Sequence, residues 1–387
     1  MLPPPSAAEA EHSRALEELL RARIRAAGGF LDFEAFMDLA LYAPRLGYYS
    51  AGSVKLGAAG DFVTAPEISS LFGECVARQC AAILEASGGG EILEVGAGTG
   101  RMAGVVLRRL AALGQLPHRY AILEVSADLR QRQRAQLAAL PAALAERVHW
   151  LERLPAEPLT GVILANEVLD ALPVHRLALR AAGVLARGVG LDAHDRLIEL
   201  ERPAAPEVAQ AWAQVERGLT AALPQGYECE LCLRLAPWLA SLADSLHRGV
   251  MLLFDYGLPR AHYYHPERTR GTLRCHYRQR AHEDPLRNLG LQDITAWVDF
   301  TAVAEAADAA VLEVLGFCTQ AAFLLGTGLG ELAGEAAGSG ERLRRASEAR
   351  RLLMPGEMGE AFKVMALGRG FGAALAGFEH QDLRGSL

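Results

Sequence analysis

The sequence predicts an α/β fold: a mostly parallel sheet with helices on both faces, an N-terminal helical cap and a β-rich insertion. Three observations carry this. A rhythm of strand, glycine turn, helix and strand starts at residue 91 and holds to about 173. It breaks at residue 174 into three short strand-like runs in hairpin order. It then returns with "GVMLLFDYG" at 249–257.

Each element has its own signal. Residues 9–27 alternate charged and apolar positions at helical spacing and stop at Gly28-Gly29, and a short helix over about 31–42 follows. A long loop rich in glycine, proline and aromatics then leads into a helix at about 67–86; ordered loops of that length are more often functional than not. The core reads as strand 91–95, helix 100–113, strand 120–125, helix 127–140, strand 147–152, and a strand from 161 running into a loop that ends at Pro173. Strand-like runs fill 174–200, a helical stretch reaches about 246, and helix-rich sequence to about 353 precedes a last strand, "EAFKVMALG". The expected division is 1–75 as cap and lid loop, 76–370 as core with an insertion at 174–246, and 371–387 as tail.

Composition narrows the class. The 387 residues are 51% hydrophobic and 22% charged with net charge −7, which fits a globular chain and shows no basic surplus for nucleic acid. The six cysteines are scattered, which favours free thiols in a reducing compartment. Cys229 and Cys232 form one C-x-x-C without a second pair, so no metal site is expected. The most apolar stretch, about 309–330, is interrupted by Glu313 and Gln320 and falls short of a membrane span. The opening "MLPPPSAAEAEHSR" resembles neither a signal nor a transit peptide. A cytoplasmic location is expected, and a mitochondrial matrix one only if a presequence was removed.

"ILEVGAGTGR" at 92–101 carries the chemistry. A triphosphate loop needs a lysine after its last glycine, and none is near. A dinucleotide turn needs a small residue where Arg101 stands. The observed pattern is Glu94-x-Gly96-x-Gly98-x-Gly100, with a second acid, Glu124, ending the next strand. Glu94 would repel a pyrophosphate but can hold an ammonium, and Glu124 can accept both hydroxyls of a ribose. A ligand with a ribose, a cationic amino-acid tail and no phosphate is S-adenosylmethionine.

"GDFVTAPEISSLFGE" (60–74), "LEVGAGTGR" (93–101), "LEVSADLR" (123–130), "NEVLDALPVHR" (166–176), "DYG" (255–257) and "DITAWVDF" (293–300) follow one another as in the MidA-like methyltransferases, which the chain resembles over roughly 30–370. That group includes the mitochondrial complex I assembly-factor arginine methyltransferase. The resemblance implies a class I methyltransferase, Rossmann-like fold, S-adenosylmethionine as donor with S-adenosylhomocysteine as product, and an acceptor arginine on a respiratory complex I-type or other protein subunit. It implies donor binding by Gly96, Gly98, Gly100 and Glu124, with the segment holding Thr64 and Pro66 closing over the donor. It departs at Trp297, where the family pattern carries histidine.

An arginine acceptor is a protonated guanidinium, which carboxylates can grip and orient. Glu167 and Asp170, just past a central strand, would share a face if their loop coils into one helical turn, and they are the favoured clamp. Capping roles, or contact with the donor's amino group or adenine, are alternatives for them, and Asn166 is placed on the donor side. Asp255 with Tyr256 is the second acceptor-side pair, against a capping role. Asp61 and Glu67 could reach in from the lid, and His276 and His282 could line the acceptor groove. Methylation of a small molecule, or a donor-binding assembly chaperone with little catalysis, are the competing functions.

Overall fold

The computed structural model describes residues 2–51, 64–335 and 338–387. The chain forms two compact units. The lid segment around Asp61 lies outside the described residues.

One unit comprises Val63–Val168, Trp238–Gly257 and Phe300–Leu387. Its sheet strands, numbered here in chain order, are β1 (Glu91–Val95), β2 (Tyr120–Leu123), β3 (Val148–Leu151), β4 (Leu159–Asn166), β5 (Leu246–Leu258), β6 (Glu313–Thr319) and β7 (Phe362–Arg369). Across the sheet they run 3-2-1-4-5-7-6. All neighbours from β3 to β5 are parallel, and β7 is antiparallel to both β5 and β6. Strand order therefore reverses between β1 and β4, and open α/β sheets bind ligands at such a switch, outside the carboxyl ends of the strands.

The central strands are buried on both faces, as parallel sheets require. Val162, Leu164, Val250 and Leu252 pack into one core, while their sequence neighbours Ile163 and Met251 are equally inaccessible. Phe254 anchors that core, meeting Phe72 and Phe323 edge-on at centroid distances of 5.4 and 5.2 Å. Each such side chain contributes about 1.5–3 kcal/mol by burial. The helix Ser70–Ser87, capped by the Ser69 hydroxyl and closed by Gly88 at φ 78°, supplies Phe72 and much of the apolar cover.

The other unit joins the N-terminal segment to Leu169–Pro237 and Leu258–Asp299. The helix Ala7–Ala26 starts with a reciprocal Ser6–Glu9 capping box. The short strand Leu31–Asp32 pairs antiparallel with Gly183–Leu191, so the N-terminal segment adds a strand to the sheet of the inserted strands. The three runs expected after residue 174 are the strands His175–Arg180, Gly183–Leu191 and Leu197–Pro203. The stretch read as helical to 246 also contains a strand, Glu228–Leu231, held by pairing with His175–Arg180. The helix Pro206–Arg217 covers the apolar face of this sheet with Val208, Trp212 and Val215.

Candidate active site

Register sets the site. Val95 is level with Leu123 on one side and Ala165 on the other. The next residues, Gly96, Glu124 and Asn166, therefore stand in a row at the carboxyl edge of the sheet, across the switch point. Phe254 is level with Asn166, which brings Asp255 to the same edge.

After β1 the chain makes a turn in which Gly96, Gly98 and Gly100 have φ of 67°, 54° and 81°. Those values lie in the left-handed region that side chains disfavour by roughly 1–2 kcal/mol per residue. Gly100 is also the N-cap of the helix Arg101–Ala112, and a Cβ there would sit 3.3 Å from the Gln133 backbone. The turn therefore presents bare backbone beside the switch point.

Two carboxylates flank it, and both are buried. Glu94 is 1% exposed and accepts the Tyr120 hydroxyl at 2.7 Å. Burial raises its pKa to about 7; the Tyr120 hydrogen bond opposes the shift and the Glu124 charge adds to it. Glu124 is 5% exposed, and burial raises its pKa against hydrogen bonds from the Ser126 amide at 2.9 Å and the Gln133 side chain at 3.0 Å. Its neighbour Val125 is 74% exposed, an apolar side chain held out at the sheet edge.

Gln133 is the residue the sequence reading missed. Fully buried, it donates to the Gly98 carbonyl and to Glu124, both at 3.0 Å, and accepts the Trp150 indole N–H. The signal was present: Leu129, Gln133 and Leu137 form the buried stripe of their helix, with one polar residue inside it. Glu67 is a second tie. The Thr99 hydroxyl, between two of the glycines, donates to it at 2.5 Å, and Arg101 lies 3.7 Å from its other oxygen. Glu67 belongs to the short helix Ala65–Ile68, whose N-cap is Thr64 and whose first turn holds Pro66. Thr64 and Pro66 thus stand beside a residue bonded to the glycine turn.

Residues 75–318 match the family model described as "Putative S-adenosyl-L-methionine-dependent methyltransferase". The chain belongs to this methyltransferase family. It is an α/β enzyme of that class, and S-adenosylmethionine is its donor. The methyltransferase is 42% identical to a superfamily member from Burkholderia thailandensis solved with S-adenosyl-homocysteine, over 100% of both chains with a TM-score of 0.95. It is 30% identical over 333 residues to the protein arginine methyltransferase NDUFAF7 homolog, mitochondrial, of Drosophila melanogaster, covering 78% of this chain and 72% of that one. The Danio rerio protein arginine methyltransferase NDUFAF7, mitochondrial, is 28% identical over 332 residues, covering 78% and 74%.

The acceptor-side candidates of the methyltransferase fall in both units. Glu167 follows β4 with φ 52°, an uncommon conformation for a non-glycine residue. Its amide donates to the Phe254 carbonyl at 2.8 Å, and its carboxylate accepts the Asn166 side-chain amide at 3.2 Å. Asp255 is fully buried and accepts the Val168 and Tyr256 amides at 3.2 and 2.9 Å. The helical turn expected over Glu167–Asp170 does not form: Glu167 is in the left-handed region and the chain closes instead by Leu172 N–H to the Leu169 carbonyl at 3.2 Å. Asp170 belongs to the other unit, where its carbonyl accepts the Ala296 amide at 3.0 Å. His276 and His282 stand on the two strands of one hairpin in that unit, and burial lowers the pKa of both. Trp297 lies under the Arg268 guanidinium at 4.9 Å.

Proposed function

We propose that this methyltransferase transfers a methyl group from S-adenosylmethionine to an arginine of a protein. The observation that carries the donor side is the pair of buried carboxylates, Glu94 and Glu124, on either side of a turn stripped of side chains. Gly96, Gly98 and Gly100 admit the nucleoside, Glu124 accepts the ribose hydroxyls, and Val125 offers an apolar face to the adenine. Glu94 and Asn166 take the amino-acid tail, and Thr64 and Pro66 border the turn through Glu67. The bound donor supplies a methyl already activated on a sulfonium, so the protein's task is alignment and exclusion of water.

The acceptor side rests on the relatives, two of which are named protein arginine methyltransferases at 28–30% identity. Glu167 grips the guanidinium in this reading, held in place by Asn166. Asp255 fixes the 166–168 backbone that presents Glu167. A charge-assisted pair of this kind turns one nitrogen toward the methyl. We place the reaction in the cytoplasm, with the six free cysteines in keeping with a reducing compartment; among the described residues no helix is long and apolar enough to cross a membrane.

The test is a transfer assay with labelled donor on arginine-containing peptide arrays, followed by mass spectrometry of the modified residue. Methylarginine that disappears with Glu167→Gln supports the reading. Label on metabolites with none on arginine replaces it with small-molecule methylation. Donor binding without transfer to any acceptor replaces it with a binding role.

A further inference from the structure

The unit built from the N-terminal helices and the inserted strands holds a cavity of about 380 Å³ that donor chemistry does not use. One wall is the charged face of the sheet. Arg176 and Arg187 stand opposite each other on adjacent strands and carry their side chains to the same face. Glu199 and Glu228 meet them there from the flanking strands. The facing wall is the 269–283 segment, with Arg270, Arg274 and Glu283.

The carboxylates do not saturate these guanidiniums. Arg187 is satisfied by both Glu199 and Glu228. Arg176 is 8% exposed and, among the described residues, gives a hydrogen bond only to Glu199; its guanidinium lies over the Phe33 ring at 5.0 Å. The remainder of its fork lines the cavity without a hydrogen-bond partner among the described residues. On the facing wall Arg270 and Arg274 share one carboxylate, Glu283, at 3.9 and 3.3 Å. Four guanidiniums thus line the cavity against three carboxylates; Arg274 also donates to the Leu273 carbonyl at 2.8 Å, and the donors left over belong to Arg176, Arg270 and Arg274. None of these donors is shut off from solvent, so an oxyanion entering the cavity would replace water on a site with one guanidinium more than it has carboxylates.

We infer that this cavity is a binding site for a phosphate or carboxylate group, gripped by Arg176 from the sheet and by Arg270 and Arg274 from the facing segment. Planar forks on two walls match the geometry of an oxyanion that accepts from both sides. The anion is either a free small molecule or an acidic side chain of a bound peptide; both present the same oxygens.

The experiment is calorimetric titration of the full chain at ~0.15 M salt, where purely surface attraction is screened beyond about 8 Å. Inorganic phosphate and an end-blocked triglutamate peptide are the two probes. Arg270 and Arg274 are rim residues with side chains 84% and 45% exposed, so substituting them leaves the fold intact. The expected result is saturable binding of at least one probe, weakened at least tenfold in the Arg270→Gln/Arg274→Gln double variant, with unchanged affinity for S-adenosylhomocysteine. Phosphate binding alone identifies a free oxyanion; peptide binding that phosphate competes away identifies an acidic side chain. Failure of both probes to bind, or equal binding by the double variant, overturns the proposal.

Discussion

Donor affinity should depend steeply on pH, and Glu94 sets the slope. Its pKa is raised to about 7, chiefly by burial. If the donor's ammonium selects the carboxylate, the apparent affinity is reduced by the factor 1 + 10^(7 − pH), which is ~11 at pH 6 and ~1.1 at pH 8. The expected change is therefore about tenfold, or ~1.4 kcal/mol, across two pH units. Stability moves the opposite way. A carboxyl whose folded pKa lies above its unfolded value favours the fold at low pH, and that contribution is lost as pH climbs from about 4.5 through about 7. The loss is on the order of 3 kcal/mol for a shift of this size. Calorimetry with S-adenosylhomocysteine at pH 6, 7 and 8 measures the first effect, and its ammonium does not titrate in that range. Glu94→Gln should bind weakly with no slope, and Tyr120→Phe, which removes the hydrogen bond favouring the charged form, should move the midpoint upward. Equal affinity at pH 6 and 8 in the unaltered protein, or a slope that survives in Glu94→Gln, refutes the reasoning.

Other positions give separate checks. Gly100→Ala must hold an L-residue at φ 81° with its Cβ 3.3 Å from Gln133; it should lower stability by about 1–2 kcal/mol in a denaturant melt and weaken donor binding with it. Glu67→Ala releases Thr99 and should weaken S-adenosylhomocysteine binding roughly 3–10-fold, while Glu67→Gln, which still accepts the Thr99 hydroxyl, should recover most of that. Val311 is a β-branched residue at φ 57° just past the helix Phe300–Ala309, and it is 81% exposed. Its amide and that of Leu312 close the helix onto Asp308 and Ala307, the place where glycine normally stands. Val311→Gly should therefore stabilise the protein by about 1 kcal/mol, seen as a calorimetric Tm rise of roughly 2 °C without change in donor affinity.

The parts of the fold that could be read from sequence are those with local signals. The glycine turn, the strand ends at Glu124 and Asn166, and the hairpin run after residue 174 all announce themselves within ten residues. What escaped depends on distant pairing. Leu31–Asp32 joins the inserted strands only through its ladder with Val189 and Gly188, and nothing near residue 31 encodes that. The strand Glu313–Thr319 lies in an apolar stretch where helix and strand periods are equally compatible, and its antiparallel ladder with β7 decides the matter. Gln133 was passed over because a polar residue in a helix reads as surface until the flanking leucines are counted as one buried stripe. The Glu167–Asp170 turn failed for a local reason: the left-handed φ of Glu167 ends any helical continuation from β4.

A cost borne by the fold is the strongest argument for the donor assignment. Glu94 accepts a neutral hydroxyl, and among the described residues no arginine or lysine pairs with it. For the fold alone a glutamine would accept the same Tyr120 hydroxyl without burying a charge, and it would be the more stable choice. Glu124 repeats the pattern: its hydrogen bonds come from an amide and a glutamine, and burial still raises its pKa. Two acids raised this way, on the two strands that flank a backbone turn, make a local negative potential that the sheet does not need. A ligand with a cationic tail and a diol would supply a counter-charge for Glu94 and further donors for Glu124. The expected signature is that Glu94→Gln raises the melting temperature of the free protein above pH 7 and abolishes most of the stabilisation by S-adenosylhomocysteine. A variant that loses stability while keeping that ligand's full effect would mean that Glu94 serves packing alone.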